Sequence, residues 1–147
     1  MKQRHQVIPA VYLVLIKENK ALLSRRFRTG YMDGYYSLPS GHLNGGESLV
    51  SALAREAKEE IGIEIEPKNT QLIHVMHRVA AEGDHERIDF YFTTFDWRGD
   101  IANLEPHKCD ELKWCPTNKL PDNTVPEVRL SLEHIDKGGK YSAYNFD

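Results

Sequence analysis

The stretch from 38 to 65 constrains the fold most, because it joins a glycine-broken loop to a segment of helical spacing. It reads "LPSGHLNGGESLVSALAREAKEEIGIEI". Between 47 and 61 apolar residues recur at steps of three and four, which predicts an amphipathic helix. These residues are Val50, Leu53, Ala54, Ala57 and Ile61. Gly62 follows them and predicts the end of the helix, as a C-terminal cap.

Segments typical of β-strands lie on both sides of this helix. The runs "VIPAVYLVLI" and "ALLSRRF" flank the turn "KENK" and predict a hairpin. The segment 28–46 is interrupted by glycines and a proline, which predicts a loop with a short strand around "YYSLP". The runs "QLIHVMHRV" and "RIDFYFTTFDW", separated by the polar loop "AAEGDHE", predict an antiparallel pair. Short strands are also expected at "IEIEP" and "ELKWC".

A second helix is predicted near the C-terminus. The segment "VPEVRLSLEHIDKGG" has Thr124 before it as a candidate cap, Pro126 in its first turn and glycines at its end. The order of strands, loop, helix, strands and helix predicts an α+β fold with a mixed sheet between helices. A length of 147 residues predicts one domain, 1–147.

Composition narrows the function classes. A formal charge of -3 gives no broad basic field, so binding to long nucleic acid is disfavoured. The apolar run near the N-terminus reaches Lys17 and Glu18 after about ten residues, which is too short to span a bilayer, so no membrane partner is expected. Cys109 and Cys115 are too few for a disulfide framework. These features predict a cytoplasmic location.

The helix carries a cluster of carboxylates beside its apolar face. With Glu56 set at zero and about 100° per residue, Glu60 lies at about 40° and Glu59 at about 300°. Like charges at this spacing repel by a few tenths of a kcal/mol, so folding alone does not favour them. A hard cation such as Mg²⁺ or Mn²⁺ would remove the conflict. The alternative is a solvated acidic face paired with Lys58 and Arg55.

The residues around this cluster match a longer pattern, G-x(5)-E-x(7)-R-E-U-x-E-E-x-G-U, in which U is apolar. Its members are Gly41, Glu47, Arg55, Glu56, Ala57, Glu59, Glu60, Gly62 and Ile63. This pattern resembles the Nudix box of the Nudix hydrolases, the MutT-like pyrophosphohydrolases. The order of elements is similar to that family's α/β/α sandwich, so the resemblance covers nearly the whole chain.

The resemblance implies a set of site residues. The implied ligands of Mg²⁺ or Mn²⁺ are Gly41, through its carbonyl, Glu56, Glu59 and Glu60. Arg55 would hold Glu47, since a guanidinium bridges carboxylates through forked hydrogen bonds. Members of the family differ in the general base, so Glu59 and Glu56 both stay candidates. Arg55 and Glu47 complete the implied catalytic set.

The resemblance also suggests a substrate class. The tract "LEPHKCDELKWCPTNKLP" is similar to one in Nudix nucleoside triphosphate diphosphatases. It favours a nucleoside or deoxynucleoside triphosphate, cleaved to the monophosphate and pyrophosphate. Two alternatives stay open: a nucleoside diphosphate linked to another moiety, such as a nucleotide sugar or ADP-ribose, and a non-catalytic nucleotide-binding module. Nudix proteins of this size are often dimers, so the resemblance also allows a homodimer.

Further residues are candidates for binding the substrate. Arg25, Arg26 and Arg28 precede the box loop and suit a phosphate tail, because guanidinium matches phosphate geometry, and His42 adjoins Gly41. On an alternating strand Arg25 and Arg26 face opposite ways, so at most one of these two is expected to point inward. A surface position is the alternative for each arginine. Strand aromatics are candidates for stacking a base, with core packing as the alternative: Tyr35, Tyr36, Phe90 and Phe92. Glu105 or Glu111 would complete a metal shell from a loop, or else lie on the surface.

Overall fold

A computed structural model describes residues 3–80 and 85–146 of the chain. Within these ranges there are two α-helices, eleven β-strands and one 3-10 turn at Pro67–Asn69. The helices are α1 (Leu49–Ile61) and α2 (Pro126–Asp136). The strands are β1 (Ile8–Val14), β2 (Ile16–Lys17), β3 (Lys20–Arg26), β4 (Tyr36–Ser37), β5 (Ser40–His42), β6 (Glu64–Ile65), β7 (Thr70–Val79), β8 (Glu86–Thr94), β9 (Trp97–Arg98), β10 (Cys109–Pro116) and β11 (Tyr141–Tyr144).

The larger sheet is mixed, as the sequence predicts. Its strand order is β11-β7-β8-β1-β5. Strand β1 pairs with β8 in parallel and β11 pairs with β7 in parallel, whereas β7–β8 and β1–β5 are antiparallel. A second, antiparallel sheet has the order β10-β3-β2, with β4 beside β3, and β6 pairs with β9 separately. A separate second sheet was not expected from the sequence.

Alternate residues of β1 build two hydrophobic cores, because successive strand side chains point to opposite faces. Ala10, Tyr12 and Val14 pack in one core with residues of α2, among them Val128 and Leu132. The other core contains Val11, Leu13 and Leu15 with Ala52, Leu53, Ala57 and Ile61 of α1. The larger sheet therefore lies between two helices, and the predicted α+β sandwich is confirmed.

Helix α1 ends where its sequence predicts, and it begins at Leu49, inside the predicted segment 47–61. The Ser48 side chain accepts a hydrogen bond from the Ser51 backbone N–H, which satisfies one free donor of the first turn. Gly62 adopts a left-handed conformation, with φ of 74°, and its N–H donates to the Lys58 carbonyl. A side chain at 62 would strain this conformation, so glycine ends the helix here.

Helix α2 confirms the predicted element but not its predicted cap. Pro126 is in the first turn, as expected, while the N-cap residue is Val125 and makes no side-chain capping bond. The Thr124 hydroxyl instead donates to the Pro121 carbonyl. The cap assignment to Thr124 is therefore wrong, because Val125 is the residue that precedes the first turn of α2. Among the described residues, no helix has the length and apolar character to cross a membrane.

The remaining strands are partly as predicted. The hairpin of β2 and β3 is present, and Glu18 and Asn19 at its turn both have positive φ, as a type I′ turn requires. The β7–β8 antiparallel pair is also present, although 81–84 of the predicted loop between them lie outside the described residues. Strand β5 lies inside the segment predicted as loop, and β11 was not predicted.

His74 ties the C-terminal strand to the larger sheet. This buried side chain of β7 has Nδ1 at 2.9 Å from the Gly139 carbonyl oxygen and Nε2 at 2.8 Å from Ser142 Oγ. A carbonyl only accepts, so Nδ1 donates, and Nε2 of the neutral ring accepts from Ser142. The His134 ring stacks at 5.5 Å. Burial lowers the pKa of His74, so the structure favours the neutral ring.

We predict that His74 makes stability depend on pH in the acid range. Because its folded pKa lies below the ordinary value of 6.5, the unfolded chain takes up the proton more readily, and stability falls as the pH drops below that value. Protonation also removes the acceptor for Ser142, a loss of about 1 kcal/mol. Urea unfolding at about pH 7.5 and about pH 5.5 should therefore show a smaller pH effect in His74→Gln than in the wild type.

The matched control is His107→Gln, since His107 is exposed. Its pH dependence should equal that of the wild type. An unchanged pH effect in His74→Gln would show that the buried ring does not control the stability of this region.

Candidate active site

A cavity of about 610 Å³, here called the first cavity, opens between α1, β3 and β5. Side chains of both charges line it. The carboxylates, here called the acidic wall, are Glu56, Glu59, Glu60 and Glu105. The cationic side chains that line it are Arg25, Arg26, Arg28 and Lys108. A cavity lined by carboxylates and by cationic side chains suits a compound that carries phosphate groups together with a bound cation.

Strand β5 brings the backbone of Gly41 against the side chain of Glu56. Gly41 pairs with Val11 of β1, at the edge of the larger sheet. A Cβ atom built on Gly41 would lie 2.2 Å from Glu56 Cδ and 2.3 Å from Glu56 Oε1. Any side chain at 41 would thus displace the Glu56 carboxylate. The glycine of the box is needed for this close approach rather than for backbone freedom.

Arg55 organises the carboxylates around it. Its Nη2 donates to Glu47 Oε1 at 2.7 Å and to the His42 carbonyl at 3.1 Å. Its Nη1 donates to Glu56 Oε1 at 2.7 Å and lies 3.4 Å from Glu59 Oε2. The hydrogen bonds from Arg55 lower the pKa of Glu47. The contact expected between Arg55 and Glu47 is present, and the guanidinium extends it to two more carboxylates.

Glu60 lies deepest in the acidic wall. The Ser40 backbone N–H donates to its Oε2 at 3.2 Å. Burial, and then the charge of Glu56, raise the pKa of Glu60 to about 9. Two neighbouring carboxylates in a poorly solvated position resist simultaneous ionisation, and a cation between them would favour the ionised form of both. The site has the chemistry of an oxygen-ligated cation site.

The side-chain arrangement itself is not a closed metal cage. Among residues 3–80 and 85–146, no three His, Cys, Asp or Glu side chains are gathered closely enough to hold a metal ion by themselves. Arg55 donates a hydrogen bond to one carboxylate oxygen of Glu56 and lies near one carboxylate oxygen of Glu59. Mg²⁺ commonly uses only one or two carboxylates and completes its shell with water and phosphate oxygens. The oxygen donors present fit that open type of site.

The structure places the predicted phosphate-binding residues around the first cavity. Arg25 lines it, but its Nε donates to Asp110 Oδ1 at 2.7 Å. Arg28 lines it with its guanidinium 4.8 Å from the centre of the Phe27 ring. Lys108 also lines it and was not singled out from the sequence, although it lies in the tract 104–121. With Arg26, four cationic side chains thus line the first cavity.

His42 lies between the first cavity and a neighbouring one. That second cavity has a volume of about 270 Å³ and shares Arg26, Ser37, Ser40, Gly41 and His42 with the first. The Arg87 guanidinium donates to His42 Nε2 at 2.9 Å, so the neutral ring carries its hydrogen on Nδ1. Burial, and then the charge of Arg87, lower the pKa of His42. His42 is therefore positioned as a neutral wall residue of both cavities.

The other candidate residues, two glutamates and the strand aromatics, lie in different surroundings. Glu105 lines the first cavity, whereas Glu111 accepts a hydrogen bond from the Tyr36 hydroxyl. Tyr36 and Phe92 are buried in the two hydrophobic cores, so their aromatic rings serve packing. Tyr12 and Tyr31, which line the second cavity, were not selected from the sequence.

Comparison with known proteins agrees with this geometry. A match to the NUDIX domain covers residues 7–135. The chain belongs to the NUDIX family of hydrolases. The Nudix chain resembles the fold of a MutT NUDIX hydrolase from Burkholderia pseudomallei with a TM-score of 0.79, at 23% sequence identity, over 88% of this chain and 98% of that one.

Two relatives of this chain have names that state different activities. An 8-oxo-dGTP diphosphatase from Proteus vulgaris is 28% identical over 102 residues, which cover 69% of this chain and 88% of that protein. An NAD-capped RNA hydrolase NudC from Vibrio atlanticus is 35% identical over 148 residues, 88% of this chain. This Nudix chain spans 52% of that NudC and 38% of the one from Stutzerimonas stutzeri.

The contact between Gly41 and Glu56 generates a prediction for the Nudix site. We expect Gly41→Ala to weaken Mn²⁺ binding by about tenfold or more, because the new methyl group displaces the Glu56 carboxylate. Titration calorimetry with Mn²⁺ measures the affinity, and a thermal melt checks the fold.

Gly45→Ala is the matched control, since nothing lies within 4 Å of a Cβ at that position. It should bind Mn²⁺ as the wild type does. Equal Mn²⁺ affinity of Gly41→Ala and Gly45→Ala would contradict the proposed part of Glu56 in cation binding.

Proposed function

We propose that this Nudix hydrolase is a Mg²⁺-dependent pyrophosphohydrolase that cleaves a nucleoside or deoxynucleoside triphosphate to the monophosphate and pyrophosphate. The observation that carries the proposal is that the carboxylates of α1 line one cavity together with cationic side chains. A bound cation and the arginine or lysine side chains would together neutralise a polyphosphate.

The residues that would hold Mg²⁺ or Mn²⁺ are Glu56, Glu59 and Glu60, with the Gly41 carbonyl as a further oxygen. When bound, the cation would polarise phosphorus and offset the charge of the phosphate oxygens. Glu60 suits this role because its carboxyl lies beside Glu56 in a poorly solvated position. Glu105 lines the same cavity and offers an additional carboxylate.

The remaining residues of the site bind and orient. Arg55 fixes Glu47, Glu56 and Glu59 relative to one another through its guanidinium. Arg28 and Lys108 would hold the phosphate tail. Glu59 or Glu56 would accept the proton of the attacking water. Water adds to phosphorus, the anhydride bond breaks, and the oxygen of that bond leaves with the other product.

The comparisons support the substrate class at different levels. The match to the 8-oxo-dGTP diphosphatase covers 88% of that protein, and this similarity favours a nucleoside triphosphate as the substrate. The NAD-capped RNA hydrolases contain longer chains, so a diphosphate linked to a second moiety is the second candidate. A non-catalytic module is disfavoured, because Glu56, Glu59 and Glu60 are all retained and line one cavity.

We also propose that the chain acts as a single domain on small nucleotides in the cytoplasm. Its two cysteines, Cys109 and Cys115, are both free. A homodimer stays a prediction, which analytical ultracentrifugation would check.

The central test removes one carboxylate charge. We expect Glu59→Gln to reduce Mg²⁺-dependent release of pyrophosphate by about a hundredfold or more, because the change removes a proposed metal ligand or base and little volume. Glu66→Gln, an exposed position outside the cavity, should retain activity. Pyrophosphate is measured as phosphate after added pyrophosphatase. Unchanged turnover of Glu59→Gln would refute the role of α1.

A substrate panel separates the two substrate classes. With nucleoside triphosphates, we expect phosphate to appear only after pyrophosphatase is added, since pyrophosphate is the leaving product. ADP-ribose and nucleotide sugars release two monophosphates, which chromatography distinguishes. Faster turnover of these compounds than of any triphosphate would favour the second candidate.

A further inference from the structure

The loop 27–35, which joins β3 to β4, lies beside both cavities. Arg28 and Thr29 line the first cavity, and Tyr31 lines the second. The Tyr31 hydroxyl also donates to Glu127 Oε1 of α2 at 2.8 Å. The conformation of this loop therefore shapes the walls of both cavities, although none of its residues belongs to the box.

The backbone of this loop is in a conformation that needs support. Arg28 and Met32 have positive φ angles of 53° and 50°, and Gly30 and Gly34 have φ angles of 87° and 86°. Residues with a side chain rarely adopt a positive φ, and they keep it only where the surrounding structure holds them. Arg28 is such a residue and is also a cationic side chain of the first cavity. Other contacts must therefore hold the backbone at Arg28.

One carboxylate supplies these contacts. Asp33 Oδ1 accepts from the Thr29 N–H at 3.0 Å and from the Thr29 hydroxyl at 2.6 Å, and Oδ2 accepts from the Gly30 N–H at 3.0 Å. The Thr29 N–H belongs to the peptide bond that follows Arg28, so its hydrogen bond restrains the Arg28 backbone directly. The hydrogen bond from the Thr29 hydroxyl, and then those from the two backbone N–H groups, lower the pKa of Asp33. The carboxylate is therefore ionised at neutral pH.

Arg26 holds the same loop from the end of β3. Its Nη2 donates to Thr29 Oγ1 at 2.9 Å, and its Nε donates to the Tyr31 carbonyl at 2.6 Å. The Thr29 hydroxyl thus lies between the Asp33 carboxylate and the Arg26 guanidinium. Asp33 itself is exposed and lines neither cavity. Its contacts lie within its own loop, so its effect on a ligand would be indirect.

Arg28 is better suited than Arg25 to bind a phosphate group. Arg25 Nε donates to Asp110 Oδ1 at 2.7 Å, so a carboxylate already offsets part of its charge. The Arg28 guanidinium lies 4.8 Å from the centre of the Phe27 ring. An aromatic ring attracts a cation but does not neutralise its charge as a carboxylate does. The position of Arg28 therefore matters more for an anionic ligand than that of Arg25.

We propose that Asp33 is a positioning residue for phosphate binding, because its hydrogen bonds to Thr29 and Gly30 hold Arg28 at the first cavity. The inference rests on the function proposed above, since the ligand is the phosphate tail of that substrate. Asp33 does not touch the substrate. It orders the loop before the ligand arrives, so that less conformational entropy is lost on binding.

The first experiment measures steady-state kinetics. Asp33→Asn keeps the size of the side chain but has one acceptor oxygen, so it cannot accept hydrogen bonds from both Thr29 and Gly30 on two oxygens. We expect the KM for a nucleoside triphosphate to rise about tenfold while kcat changes by less than about twofold, since uniform binding is lost. Asp100→Asn, at an exposed position outside both cavities, is the control and should keep the wild-type KM. An unchanged KM of Asp33→Asn would overturn the proposal.

The second experiment measures binding without chemistry. Imidodiphosphate is a pyrophosphate analogue with nitrogen in its bridge, and it resists hydrolysis. In calorimetric titrations with Mg²⁺ present, we expect Asp33→Asn to bind it about tenfold more weakly than the wild type does. Mn²⁺ affinity without the analogue should be unchanged, because Asp33 contacts its own loop and not the carboxylates of α1. Loss of Mn²⁺ affinity or a lowered melting temperature would indicate general damage and would contradict a positioning role.

A double-mutant cycle tests whether Asp33 acts through Arg28. Arg28→Gln removes the proposed phosphate ligand and keeps a long side chain. In the Arg28→Gln background, Asp33→Asn should weaken imidodiphosphate binding by less than about twofold, since the side chain that it positions is gone. A full second loss of about tenfold would show that the two residues act independently and would refute the inference.

This inference and the proposed function fail separately. Weaker imidodiphosphate binding by Asp33→Asn, without hydrolysis of any nucleotide by the wild type, would retain the positioning role and refute the proposed reaction. Hydrolysis of nucleoside triphosphates with equal KM in Asp33→Asn and the wild type would retain the reaction and refute the role of Asp33. A wild-type chain that does not bind imidodiphosphate at all would refute the phosphate site that the inference requires.

Discussion

The close approach of α1 to β5 is the contact on which the site depends. Gly41 leaves no side-chain atoms between its backbone and the Glu56 carboxylate, and Arg55 binds the His42 carbonyl of the same strand. The Arg55 guanidinium therefore connects β5 to α1 and fixes the positions of the carboxylates to which it donates. Without this contact, the acidic face of α1 would be an ordinary solvated surface, and the like charges would only oppose folding.

Strand β1 supports both sides of this arrangement. One set of its side chains packs against α1 and the other packs toward α2. Helix α1, which carries carboxylates of the first cavity, and helix α2, which lines the second cavity through Val128, are thus positioned by a single buried strand. Burial of apolar area on both faces is the main source of stability here, and it places the two cavities on either side of β5.

The sequence predicts those helices and site residues that depend on short-range sequence patterns. The spacing of apolar residues, Ser48 and Gly62 determine α1, and the box identifies the carboxylates that line the first cavity. Strand β5 was not predicted, because a strand of three residues is too short to show an alternating pattern of apolar and polar side chains. Its pairing with β1 is also long-range in sequence. The second cavity was not predicted, because Arg78, which lines it, looks like an ordinary polar position of a half-exposed strand until it is found buried.

The residues shared by the two cavities have a consequence for regiochemistry. Ser40, Gly41 and His42 are consecutive residues of one short strand, so the backbone fixes the distance between the second cavity and the carboxylates of the first. A substrate of the proposed reaction that occupied both cavities would present to α1 the phosphorus that this distance allows, and the strand would thereby determine which anhydride bond is cut.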